Sequence, residues 1–423
     1  MHLWRAVGTA FGVVALIPLA AWQETRANEA QHGPDPTPVR PSPDEAARAN
    51  RSDTHPPFAG IELDKWTVRD REVVAPAPLG RTAHLALDPS LQLAVERILR
   101  DYRPPEAAAV LIDAATARVK VWASYVDRGP KRDLCTEATA PAASIFKIVT
   151  AAALVETAGL TPDERQCYAG GESRVTAIDL VDDVRRDRWC TTLGEALGKS
   201  VNTVFARLAL KHLTPGDLEG MAGAVGFGKP IPFDVEVAES GVHLPKESLG
   251  FARTAAGFWN TTLSPFEAAS LANIVANHGE VLRPVLVESV TDPSGTLYRA
   301  PQRLVVRRAM QAETAEALTT MMENTVTVGT SARAFRDGAG RAFLPNIGVA
   351  GKTGTLSGPD GKQLYTWFVG FAPSSAPDVA IAVLVVNGPS WRAKANVVAR
   401  DVLRLYFASK NAPGVSRPGQ GRP

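Results

Sequence analysis

An excess of charge is what this chain most plainly lacks: its 423 residues carry 46 Lys and Arg against 44 Asp and Glu, a formal net charge of +2. There is no broad basic field to hold nucleic acid and no acidic excess to keep the chain unfolded. Metal-site spacing is missing as well. The seven histidines are scattered, with no HExxH and no Cys/His pattern of the kind that holds zinc. No metal and no other cofactor is therefore expected. Cysteine is scarce, three residues in all, and no internal repeat is visible. What the chain does have is apolar content: 45% hydrophobic against 21% charged suits a large core, in one big domain or two modest ones.

The N-terminus carries an uncharged run, AVGTAFGVVALIPLAAW from Ala6 to Trp22, behind Arg5 and ahead of the polar QETRANEAQ. It is long for the core of a signal peptide and short for a comfortable span of about 20 residues. No clean A-x-A cleavage site follows, which favours an uncleaved anchor over a cleaved signal. Either reading exports the body of the chain. Residues 1–22 are thus expected as a signal-anchor or signal peptide and 23–84 as a Pro/Ala-rich tether (HGPDPTPVRPSPDEAARANRSDTHPPF) to the inner membrane. A globular domain follows over 85–409, then a disordered tail over 410–423. In an exported chain Cys167 and Cys190, which bracket a short polar segment, either form a bridge contributing about 3 kcal/mol through loop closure or remain free thiols. Cys135 lies apart. The run LVDDVRRDR from Leu180 to Arg188 reads as a solvated charged face.

From Leu85 the pattern becomes globular. Asp88-Pro89 starts a helix through LDPSLQLAVERILRDY, and AAAVLIDAATARVKVWASY reads as two strands about a turn at Asp113 to Ala117. Ser144 opens a helix through Leu154, stopped near Gly159 to Pro162. The middle, Thr191 to His278, is mostly helical. Strands return in NIGVAGKTGT, YTWFVGFAP and DVAIAVLVVNG, before a final helix, ANVVARDVLRLYFAS. Strands at both ends with helices between imply an α+β fold: a central antiparallel sheet flanked by helices, with an inserted all-helical lobe.

Three short segments carry chemistry. In PAASIFKIVTAA, Ser144 and Lys147 share one helical face. A lysine in so apolar a run is desolvated, which lowers its pKa and makes a neutral amine available as a base. The bland alternative is a lysine reaching out to solvent. In GKSVNTVFARLAL, Ser200 and Asn202 face one cavity if the backbone is not yet helical there; otherwise Ser200 is a plain N-cap. In GVAGKTGTLSGPDG, Lys352, Thr353, Gly354 and Thr355 invite a phosphate-loop reading. That motif needs a glycine five before Gly351, where Asn346 stands, and a helix afterwards, where a turn stands. As the end of a strand, the segment offers a lysine, two hydroxyls and a thin glycine along which a substrate backbone can lie.

Taken together, SIFK, SVN and KTG in this order resemble the Ser-x-x-Lys, Ser-x-Asn and Lys-Thr-Gly set of penicillin-binding proteins and serine β-lactamases. LDPSLQ, ANIVANHGEVLRP and GKTGT followed by WFVGFAP add to the likeness, which spans about residues 85 to 408. The resemblance implies a penicillin-binding transpeptidase fold and a peptidoglycan D,D-transpeptidase of the bacterial cell envelope. Its substrates would be stem peptides ending in D-Ala-D-Ala, and β-lactam antibiotics would bind covalently. It casts Ser144 as nucleophile, Lys147 as its base and Ser200 as proton relay. Asn202 would hold the substrate amide, Lys352, Thr353 and Thr355 the terminal carboxylate, with Gly354 between them, and the backbone N–H groups of Ser144 and Thr355 the oxyanion. A D,D-carboxypeptidase, a serine β-lactamase and a penicillin-sensing receptor are the alternatives. No glutamate between Asn202 and Lys352 has the E-x-x-L-N setting of one β-lactamase class, and Asn202 departs from the Ser-x-Val of another. One apolar run does not supply the several spans of a receptor. No glycosyltransferase domain fits ahead of residue 85, and the large N-terminal module of monofunctional transpeptidases is expected to be absent or reduced to the tether.

Overall fold

The computed structural model describes residues 60–171, 174–358, 361–389 and 393–410. The apolar run at 6–22, the tether as far as 59 and the tail from 411 lie outside the described residues.

The segment 61–84, expected as the end of the tether, is instead folded. Strands β1 (Thr67–Arg69), β2 (Glu72–Ala77) and β3 (Arg81–Leu85) pair in sequence. Two strands from late in the chain, β8 (Val287–Asp292) and β9 (Gly295–Arg299), complete a five-stranded sheet in the order β1-β2-β3-β8-β9. Val73, Ala75, Ala83 and Val290 are buried there, so burial of a small apolar face holds the segment in place.

Helix α1 (Pro89–Tyr102) starts as expected, with Asp88 accepting from the Leu91 N–H at 2.9 Å. Strands β4 (Glu106–Asp113) and β5 (Val119–Val126) follow. They join β10 (Ala350–Ser357), β11 (Leu364–Ala372) and β12 (Val379–Asn387) in a five-stranded antiparallel sheet of order β10-β11-β12-β4-β5. Strand β12 is buried along its whole length. Ile381, Val383 and Val385 face one core with Leu91, Val95 and Leu99 of α1 and Val398 and Val402 of α9 (Ala395–Lys410). Ala380, Ala382 and Leu384 face the other core, which continues into the helices inserted between β5 and β10.

Those helices are α2 (Phe146–Glu156), α3 (Leu193–Lys199), α4 (Asn202–His212), α5 (Pro215–Val225), α6 (Ser248–Ala255), α7 (Pro265–Ala276) and α8 (Ala312–Thr327). Every residue of α2 from Phe146 to Leu154 is buried, as suits a helix apolar all round. The lobe is not all-helical, however. Strands β6 (Arg165–Tyr168) and β7 (Trp189–Thr192) form a hairpin in which Cys167 and Cys190 are directly paired and disulfide-bonded; Cys135 is free and buried. The charged run within this hairpin is only partly solvated. Arg207 of α4, with no exposed side-chain surface, donates to the carbonyls of Cys167 at 2.8 Å, Asp179 at 2.6 Å and Val181 at 2.9 Å. It also pairs with Asp187 and Asp182, so the loop is folded around a buried guanidinium.

Candidate active site

The helix expected to begin at Ser144 begins at Phe146, and a tight 3-10 turn, Ala143–Ile145, presents the serine ahead of it. Several distant groups fix this turn. The Trp367 indole N–H donates to Pro141 O at 2.9 Å, and the Ala142 N–H to Thr261 O at 3.3 Å. Gly257, at φ +78°, lies against it so closely that a Cβ there would stand 2.4 Å from Ala143 O and 2.9 Å from Ser144 Cα. No side chain fits at that contact.

Lys147, the second residue of α2, is fully buried, as the apolar run implied, and does not reach solvent. Its Nζ lies 2.9 Å from Ser144 Oγ, 2.6 Å from Asn202 Oδ1 and 2.6 Å from Ala256 O. Two of these partners, a carbonyl and an amide oxygen, can only accept, and the third is a hydroxyl that can donate. The three contacts suit either an ammonium donating to all three oxygens or a neutral amine that donates to the carbonyl and amide oxygens and turns its lone pair to the Ser144 hydroxyl. Burial, and then the positive charge of Lys352, push the Lys147 pKa well below the usual lysine value. Of the two forms, burial and the neighbouring charge favour the neutral amine.

Ser200 and Asn202 come from a break between two helices. Ser200 closes α3 in the left-handed conformation, at φ 59°; Val201 is extended, and Asn202 opens α4. The backbone is thus not regular helix here. The break turns Ser200 toward Lys352 and Asn202 toward Lys147, and the N-cap alternative for Ser200 does not hold because Val201 occupies that position.

Strand β10 supplies the third wall. It stands first in its sheet, so its outer edge has no strand neighbour among the described residues. Lys352 is fully buried; its Nζ donates to Thr353 O at 2.8 Å and meets Ser200 Oγ at 3.0 Å. Burial brings its pKa down to about 7. Thr353 Oγ1 lies 2.6 Å from Thr330 Oγ1. Gly354 packs on the serine turn, where a Cβ would meet Ala142 O, Ala143 Cβ and Ile145 Cγ1, each at 3.3 Å. Thr355 is exposed further along the strand.

The hydrogen bonds therefore join Ser144, Lys147 and Asn202 in one group, and Ser200, Lys352 and Thr353 in another. Gly354 brings the second group's strand against the first. Sequence reasoning missed Ala256 O, the Gly257 contact, Trp367 and Thr330. Among the described residues, no group of three His, Cys, Asp or Glu is placed to hold a metal ion. The site offers instead a half-buried hydroxyl beside a neutral buried amine, a second lysine, and an open strand edge: the parts needed for nucleophilic acyl transfer to a peptide-like donor.

Comparisons with known proteins point to one family. The penicillin binding protein transpeptidase domain matches residues 107–404. Peptidoglycan D,D-transpeptidase PbpA of Mycobacterium tuberculosis (strain CDC 1551 / Oshkosh) is 29% identical over 347 residues, covering 74% of this chain and 68% of that protein. Stage V sporulation protein D of Bacillus subtilis (strain 168) is 26% identical over 332 residues, 73% of this chain and 50% of its own length. The crystal structure of PBPA from M. tuberculosis superposes with a TM-score of 0.64 at 27% identity, covering 77% of this chain and 82% of that one. An imipenem acyl-enzyme complex of the same M. tuberculosis protein gives a TM-score of 0.63 at 26% identity, covering 77% of this chain and 80% of that one. With the family's domain matching most of the chain and the fold shared, the chain belongs to the penicillin-binding protein transpeptidase family.

Proposed function

We propose that the chain is a peptidoglycan D,D-transpeptidase that forms an acyl-enzyme on Ser144 with stem peptides ending in D-Ala-D-Ala. Lys147 carries the reading: a wholly buried amine whose lone pair has one suitable donor, the Ser144 hydroxyl. In acylation the Ser144 proton passes to Lys147 Nζ while Oγ bonds to the carbonyl carbon of the penultimate D-Ala. Proton transfer of this kind contributes about 10²- to 10⁴-fold. The backbone N–H groups of Ser144 and Thr355 hold the oxyanion that develops. As the peptide C–N bond breaks, Ser200 gives a proton to the departing D-alanine nitrogen. Ser200 is reprotonated in turn, so that the proton Lys147 took from Ser144 is the one that ends on the departing D-alanine and neither residue keeps a changed charge. Asn202 grips the donor amide, and Lys352, Thr353 and Thr355 attract its terminal carboxylate, with Gly354 leaving room for the donor backbone. An amine from a second stem peptide then takes the acyl group; the amine's proton passes by way of Lys147 to Ser144 Oγ as the ester C–O bond breaks, which forms the cross-link and frees Ser144. A β-lactam enters by the same attack and leaves Ser144 blocked.

The apolar run at 6–22 supports a periplasmic enzyme tethered to the inner membrane. The assignment is tested by D-alanine release from a donor ending in D-Ala-D-Ala, with an amine acceptor present and Ser144→Ala as control. Serine-dependent release with an acceptor-linked product is expected. Release with hydrolysed product alone would make the chain a carboxypeptidase. No release from folded wild type would sink the assignment.

A further inference from the structure

Thr330 belongs to none of the three motifs, yet it joins the two sides of the cleft. Its backbone N–H donates to Gly198 O at 3.1 Å, fastening it to α3 just ahead of Ser200. Its hydroxyl lies 2.6 Å from Thr353 Oγ1 on β10 and 3.4 Å from Gly198 O. Resting on the acyl-transfer reading above, we propose that Thr330 is a positioning residue for donor binding, holding the Thr353 hydroxyl so that its proton points at the terminal carboxylate of the donor.

The proposal follows from counting protons. A hydrogen bond between two hydroxyls uses one of their two protons. If Thr353 donates to Thr330, then Thr330 sends its own proton to solvent or, across the longer contact, to Gly198 O. If Thr330 donates to Thr353, the Thr353 proton is available to an acceptor in the cleft. A carboxylate only accepts, so an incoming donor selects the second arrangement. The chain then runs from Thr330 to Thr353 to carboxylate, and its last link is a charge-assisted hydrogen bond. Thr330 is exposed, and the role proposed for it is exerted through Thr353. Valine at this position would keep the shape and the backbone bond to Gly198, and would remove only the hydroxyl.

The experiment is steady-state D-alanine release by the full chain from a donor ending in D-Ala-D-Ala. Thr330→Val should raise KM about 3- to 10-fold while kcat stays within about twofold. Thr330→Ser should restore the wild-type KM. In a Thr353→Val background, Thr330→Val should add less than about twofold, because the hydroxyl it orients is gone. A fall in kcat at constant KM, no rescue by serine, or effects that multiply in the double variant would each overturn the proposal. Thr330→Ala replaces valine in the same cycle if the valine variant does not fold. A wild-type chain that releases no D-alanine would overturn the acyl-transfer reading and this proposal together. An active wild type with an insensitive Thr330→Val overturns this proposal alone.

Discussion

Replacing Lys352 by methionine separates the lysine's cost to folding from its use. The change exchanges a buried amine for a thioether of similar length. In the folded chain burial holds the amine's pKa at about 7, against 10.5 for an ordinary lysine. Between those two values the unfolded chain binds more protons than the folded one, so the wild type gains stability as pH rises through the window and carries the full cost below it. One pKa unit corresponds to about 1.4 kcal/mol, which makes the cost of burying this lysine about 4 kcal/mol at pH 7 and about 1 kcal/mol at pH 10. Its bonds to Ser200 and Thr353 offset this by roughly 1–3 kcal/mol in total. Lys352→Met should therefore be more stable than wild type by about 1–3 kcal/mol at pH 7, and equal or less stable by up to about 2 kcal/mol at pH 10. Urea unfolding of both proteins at the two pH values measures the difference; the other titrating groups are common to both, and among them Lys147, whose pKa the Lys352 charge also lowers, is the one that feels the change. A variant that is less stable at pH 7, or a difference that does not change with pH, would refute the reasoning.

In the proposed mechanism acylation needs Lys147 neutral and donor binding needs Lys352 charged, so kcat/KM should be bell-shaped, falling above about pH 7 as Lys352 loses its proton. Lys352→Arg should move that upper limb out of the accessible range, as read from a kcat/KM profile. Gly354→Ala should slow acylation by penicillin roughly 10- to 100-fold, because the new methyl displaces the serine turn; stopped-flow or mass-shift kinetics would report it. Replacing Cys167 and Cys190 by serine should cost about 3 kcal/mol, measured by denaturant unfolding, since the bridge closes the loop folded around Arg207.

What could be read from the sequence was what lies close together along the chain. Ser144 and Lys147 are one helical turn apart, and the apolar neighbours that bury Lys147 surround it in the sequence itself. Strand β12 declares itself as an unbroken apolar run because helices cover both its faces. The parts that were missed depend on partners distant in sequence. Strand β1 is exposed at every residue, and β3 finds its second neighbour in β8, so 61–84 looked like a continuation of the tether. The third partner of Lys147 is a backbone carbonyl, that of Ala256, which has no sequence signature. Thr330 meets Thr353 only because α8 and β10 pack together; a hydroxyl shortly after a long helix is too common to single out. Asp187 looked solvated because Arg207, which buries it, sits in α4, outside the hairpin loop.

The account rests on Ser144 being the nucleophile and Lys147 its base. Its most direct test is covalent labelling by penicillin, followed by intact-mass and peptide mass spectrometry of wild type, Ser144→Ala and Lys147→Met. The account predicts a single acyl adduct mapping to Ser144, absent from the alanine variant, and forming about 10²- to 10⁴-fold more slowly in Lys147→Met. An adduct on another residue, no adduct on folded wild type, or an acylation rate indifferent to Lys147→Met would contradict it.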